Sequence, residues 1–235
     1  MKLARPDIFH PRIVLAGDPL LPSEHAGRAD DAGLLDALAH RGLHARSVSW
    51  DDPATLQADL VILRAAHDPV TRTAEFLAWT RRVPILLNSP DVVAWNSDRR
   101  YLSDLQYAGV PIAQRTEPID ETALIFFGGG RSHAFRVAGT LPVEPDFELW
   151  DVGRAALRAT AERLSIRIDE LLYARADVAG SADNPRLVRL DLIAPQLGWR
   201  ELDAAERDDG QRRFVLGVES ALNRLGLGPL SHRRP

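Results

Sequence analysis

"DLVILRAAHDPVTRTAEFLAWTRRVPILLN", residues 59–88, decides the fold. Its two ends, "DLVILR" (59–64) and "PILLN" (84–88), are short apolar runs of the kind found in strands covered on both faces. Between them "TRTAEFLAWTRR" (71–82) reads as a helix. Strand, helix, strand is a βαβ unit, and such units build a mostly parallel sheet. The same alternation holds upstream. "RIVLA" (12–16) reads as a strand, and "RADDAGLLDALAHRGL" (28–43) carries a helix with Leu34, Leu35 and Leu38 on its apolar stripe. Asp30 or Asp31 is placed to cap that helix and Gly42 to end it. "ARSVSW" (45–50) is a further strand. Downstream come a short helix at 90–95, a second at 97–108 closed by Gly109, and "VPIA" (110–113).

Beyond "QRTEPIDE" (114–121) the pattern changes. "ALIFF" (123–127) and "RSHAFRV" (131–137) flank Gly128–Gly130 and read as a hairpin. A helix follows at about 148–164, then strands at 171–178 and 186–194 across the turn "AGSADNP". The last helix, about 203–226, carries Phe214, Val215, Val218, Leu222 and Leu225 on one stripe. The second half is therefore an antiparallel sheet with helices packed on it. The boundary falls at 114–122, giving parts at 1–116 and 117–230 and a tail at 231–235.

At 235 residues and 45% apolar content the chain can bury a substantial core. It has no cysteine, which excludes a disulfide framework, a thiolate metal site and a cysteine nucleophile. No apolar run has the length of a signal-peptide core or a membrane span, so a soluble, cytoplasmic protein without a membrane partner is expected. A net charge of −4 and a pI near 6.0 argue against a nucleic-acid partner. Among the 29 basic residues only Lys2 is a lysine, so none is available to a site in the body of the chain.

Several local patterns have simple readings. Gly128–Gly130 lies between two strands with no Walker lysine and reads as a hairpin turn. His40 and His44 have i,i+4 spacing, but Gly42 between them ends the helix, leaving two solvated histidines. No G-x-S-x-G elbow is present. Asp177 in "YARADV" and Asp191 in "RLDLIAP" lie on neighbouring strands. They could share a Mg²⁺, or they could pair with Arg175 or Arg189.

Taken in order, "ARSVSWDDP", the stretch from "DLVILR" to "YAGVPI", "LIFFGGGRSHAFRV", "PVEPD", "LLYARADV" and "RLDLIAPQL" make the chain similar to bacterial ATP-grasp proteins of the glutathione-synthetase-like, carboxylate–amine ligase type. The resemblance covers nearly the whole length. It implies an α/β protein: a Rossmann-like pre-ATP-grasp domain with a parallel sheet, followed by an α+β remnant of the C-terminal ATP-grasp subdomain. It also implies Mg²⁺ and ATP as cofactors wherever the site is functional, with Arg99 and Arg175 toward the nucleotide and Asp177 and Asp191 toward the metal.

The departures from the family pattern bear on those four residues. Arg99, in "WNSDRRYL", stands where relatives carry a phosphate-binding lysine, and arginine keeps the charge without the shape. A second lysine belongs to the first ATP-grasp subdomain, which should lie between Thr116 and Ala123, where only a few residues connect the two parts. The acidic "ELIEP" of the family corresponds to "DLIAP", so Asp191 keeps a carboxylate and Ala194 has none. In "AAHDP" (65–69) only Asp68 matches the family, and His67 and Asp68 become candidate ligand-binding residues. Phosphoryl transfer depends on positioning and charge neutralisation around Mg-ATP, so these losses accumulate. The expectation is a non-catalytic protein without a cofactor, acting through a small ligand or a protein partner. Alternatives are a ligase completed by another chain and a structural subunit. A sheet face left bare by the missing subdomain would make a homodimer the expected assembly.

Overall fold

The computed structural model describes residues 10–17, 30–64, 72–113, 120–138 and 141–228. The first part contains β1 (Ile13–Gly17), α1 (Leu34–His40), β2 (Ala45–Ser49), β3 (Leu60–Leu63), α2 (Thr73–Thr80), β4 (Leu86–Leu87), α3 (Pro90–Ser97) and α4 (Tyr101–Tyr107). Its sheet is parallel throughout, in the order β2-β1-β3-β4. The second part contains β5 (Glu121–Phe127), β6 (Gly130–Arg136), α5 (Phe147–Leu164), β7 (Tyr173–Ala179), β8 (Arg186–Asp191) and α6 (Ala204–Arg224). Its sheet is antiparallel, in the order β6-β5-β7-β8. The expected α/β architecture is the one observed. The segment 110–113 forms only an isolated bridge, Ile112 to Leu187.

The period of two along each strand assigns the layers. Val14, Ala16, Val61 and Leu63 face a core with Trp50, Phe76 and Trp79. The alternate residues Ile13, Leu15, Leu60 and Ile62 face Leu34 and Leu38 of α1 and join a cluster with Ala123, Ile125 and Phe127 of β5 and Phe214, Val215 and Val218 of α6. Leu124 and Phe126 of β5 point the other way, onto Leu149, Trp150, Ala156 and Leu157 of α5. Both faces of the antiparallel sheet are thus covered within the chain: one by α5, the other by α6, α1 and the parallel sheet. The homodimer was expected because one face would stand bare, and that premise does not hold.

Glycines end the helices where the sequence places them. Gly42 and Gly109 have φ of 74° and 87°, and the following amides, Leu43 and Val110, reach back to Leu38 and Leu105. Gly128 and Gly129 both have positive φ and close the β5–β6 hairpin. The N-terminus of α1 differs from expectation. Its N-cap is Gly33, with no side-chain cap, and Asp30 and Asp31 are engaged elsewhere.

Candidate functional site

The register of β7 and β8 sets Arg175 opposite Asp191 and Asp177 opposite Arg189, which brings two arginines and two aspartates to one face. Asp177 is the centre of this quartet. Its Oδ1 accepts from Arg175 Nε at 2.7 Å, and its Oδ2 accepts from Arg189 Nη2 at 2.8 Å and Nε at 3.0 Å. Arg175 and Asp177 are buried, at 4% and 1% exposure, whereas the Arg189 side chain is half exposed. Burial opposes the charge on Arg189. Asp177 and Asp191 more than offset that, so its pKa is raised. Asp191 Oδ1 accepts the Ile193 amide at 3.1 Å. Of the two readings open in the sequence, the structure has the Arg–Asp pairing. Both arginines take part, and Asp177 lies inside the protein.

Two asparagines hold the inner ends of these strands against the first part of the chain. Asn88, just after β4, donates to the carbonyls of Tyr173 and Leu192 and accepts the Leu172 amide at 2.7 Å. Asn96 of α3 donates to Leu190 O and accepts from Leu192 N. The Tyr173 hydroxyl sits among the carbonyls of Leu63, Leu87 and Ile193, and burial raises its pKa. Beside it, buried Arg64 at the carboxyl end of β3 is bidentate to Asp31 and lies 5.6 Å from the Tyr173 ring centroid. Burial works against its charge and Asp31 restores it, leaving the pKa raised. Asp30 accepts from the amides of Leu197, Gly198 and Trp199. Of the two acids read as helix caps, Asp30 therefore joins the two parts of the chain, while Asp31 pairs with Arg64 inside the first.

The remaining candidates do not gather at the quartet. Arg99 is exposed in the turn before α4; its carbonyl accepts the Leu102 amide at 3.2 Å, and its side chain makes no hydrogen bond or ion pair among the described residues. His67 and Asp68 lie outside the described residues. Asn88, Asn96 and Arg64 carry no motif that would have marked them, whereas Arg189 was open to reading as a partner of the aspartates.

A Mg²⁺ needs carboxylate oxygens free to coordinate it. Both oxygens of Asp177 are taken by guanidinium groups, and Asp191 alone is too small a donor set. Among the described residues no cluster of three or more histidine or acidic side chains could hold a metal ion. Both arginines of the quartet, Arg175 and Arg189, are committed to Asp177. Among the described residues, the quartet does not offer the free carboxylates and free guanidinium that Mg-ATP would need.

Comparison with known proteins places this geometry. The family of the D-cycloserine synthetase DcsG N-terminal domain matches residues 13–88. The cycloserine biosynthesis protein DcsG of Streptomyces lavendulae is 34% identical over 88 residues, which cover 35% of this chain and 29% of that protein. The match thus spans less than a third of that relative's length. Among solved structures, D-cycloserine synthetase DcsG superposes with a TM-score of 0.76 at 21% identity, covering 89% of this chain and 99% of that one. D-alanine–D-alanine ligase from Bacillus anthracis complexed with ATP gives 0.64 at 12%, covering 92% and 98%. The ATP-grasp ligase PsnB complexed with precursor peptide PsnA2 and AMPPNP gives 0.56 at 14%, covering 90% and 100%. The chain has a partial ATP-grasp-like fold. No helix among the described residues is long and apolar enough to cross a membrane.

Proposed function

We propose that this protein keeps the ATP-grasp-like fold, does not carry out the ligase reaction, and acts by binding a small ligand or a protein partner. One observation carries the reading: the carboxylate that the family resemblance assigns to the metal, Asp177, is buried and neutralised by Arg175 and Arg189. A fixed guanidinium in place of an exchangeable cation leaves nothing to bridge nucleotide phosphates. The sequence adds a second support, since only six residues separate Ala113 from Asp120, too few for a clasping subdomain.

The match of residues 13–88 to the DcsG N-terminal domain favours a second reading, a ligase whose site is completed by another chain. Release of ADP separates the two. The purified chain, given Mg-ATP with mixtures of carboxylates and amines, is expected to release no ADP above a no-protein control, alone or with added cell extract. Mg²⁺-dependent ADP release that rises with amine and carboxylate would establish the ligase.

A further inference from the structure

The β5–β6 register slips between Leu124 and Phe126, so Ser132 and His133 together stand opposite the single residue Ile125. Successive side chains of a regular strand point to opposite faces, and a bulge re-aims one of them, a device common beside active sites. Both residues line a cavity of about 360 Å³ bounded by β6, the stretch from Pro142 to Pro145 and α6, apart from the quartet.

Three groups form a chain of hydrogen bonds there. Ser132 Oγ lies 2.9 Å from His133 Nδ1, and His133 Nε2 lies 2.6 Å from the Leu197 carbonyl oxygen. A carbonyl can only accept, so Nε2 carries the hydrogen. Burial lowers the pKa of His133 and keeps the ring neutral, so Nδ1 accepts the Ser132 hydroxyl. A nucleophile on a base, with the base held in one tautomer by a third group, is the arrangement that activates a serine. The Leu197 carbonyl stands where a Ser-His-Asp triad has its carboxylate, and the two ring nitrogens have exchanged roles.

The surroundings suit that chemistry. An imidazolium formed at His133 would have Asp30 and Glu206 in its favour and Arg213 against it. On α6, a Cβ at Gly210 would stand 3.5 Å from Nδ1 and 3.1 Å from the Trp199 indole nitrogen, so glycine keeps the space beside the base open. Glu144 and Trp150 line the same cavity, and neither the Glu144 amide nor the Trp150 indole has a hydrogen-bond partner among the described residues. They are the donors available to a developing oxyanion. No lysine or arginine lines the cavity, whereas Glu144, Glu206 and Asp209 do, which disfavours an anionic substrate.

We propose that Ser132 is a catalytic nucleophile and His133 its general base, in a site that hydrolyses small uncharged esters. Ser132 Oγ bonds to the ester carbonyl carbon while its proton passes to Nδ1. The bond from that carbon to the alkoxy oxygen then breaks, and the alcohol leaves with the proton. Water attacks the acyl-serine and gives a proton to Nδ1. The carboxylic acid departs as Oγ takes that proton back, so ester and water have become acid and alcohol. This activity goes beyond the binding reading, and neither ATP nor Mg²⁺ enters its test, so the two fail separately.

Diisopropyl fluorophosphate is the probe, because it is small and uncharged and phosphorylates activated serines, with loss of fluoride, while sparing solvated ones. Peptide mass mapping of the treated full chain is expected to find the label on Ser132 and on no other serine. His133→Gln keeps a donor for the Leu197 carbonyl and lacks the basic nitrogen. With its fold checked by thermal melting, labelling should slow about 100-fold or more. Ser132→Ala, a smaller change, should reduce nitrophenolate release from p-nitrophenyl acetate to the level of the urea-unfolded chain. A wild-type chain left unlabelled, label spread over several serines, labelling of folded His133→Gln at the wild-type rate, or ester hydrolysis unchanged in Ser132→Ala would overturn the proposal.

Discussion

Asp177 has two guanidinium groups for one carboxylate, and its burial fixes what mutation must do. Removing one partner of a buried ion pair leaves the other charged and undersolvated, at a cost of about 3–5 kcal/mol. Asp177→Asn strands Arg175, which is 4% exposed, so urea denaturation should show a loss in that range. Arg189 is half in solvent, and Arg189→Ala should cost about 1 kcal/mol or less. Two unpaired carboxylates repelling each other would give the reverse, a slight gain in stability for Asp177→Asn. His133 supplies the pH prediction. Burial lowers its pKa below the ordinary 6.5, against the Leu197 carbonyl, Asp30 and Glu206, which pull it up. Below about pH 6.5 the unfolded chain then binds a proton that the folded chain refuses, so stability falls as pH falls through that window. His133→Gln should flatten this part of the acid limb when thermal midpoints at pH 7.5 and 5.5 are compared. An acid limb of unchanged slope would contradict the assignment.

At the scale of elements, Asn88 and Asn96 do for β7 and β8 what a neighbouring strand would do: they satisfy backbone groups at the strand ends. Asn88→Ala would leave the Leu172 amide and the carbonyls of Tyr173 and Leu192 without that partner inside the protein. The cost is about 1–3 kcal/mol per unsatisfied group, so a loss of about 3 kcal/mol or more is expected by denaturation. A loss below about 1 kcal/mol would show that water replaces the side chain. Neither asparagine stood out in the sequence, because each bonds to residues more than 80 positions away and no local pattern encodes that. Asp30 and Asp31 were legible only in the wrong role for the same reason. Their type and position satisfy the local rule for a helix cap, while Arg64 and the 197–199 amides outcompete the helix for them. What local patterns do encode was read well. The unbroken apolar run of β5 announces a strand covered on both faces, and Gly42 and Gly109 mark helix ends because the backbone there needs positive φ. Asp177 and Asp191 could be placed on one face from strand pairing, but which arginine would reach them depended on register and burial.

For the molecule as a whole, the cluster that joins α1, α6 and both sheets means the chain covers its own sheet face without a second copy. The quartet, to which the family resemblance assigns the nucleotide and metal residues, has its central carboxylate already neutralised. The central claim is that this fold no longer handles Mg-ATP, and calorimetric titration of the full chain with Mg-ATP at millimolar concentration tests it most directly. The account predicts no saturable heat. Saturable, Mg²⁺-dependent binding tighter than about 100 μM, or about −5.5 kcal/mol, would contradict it.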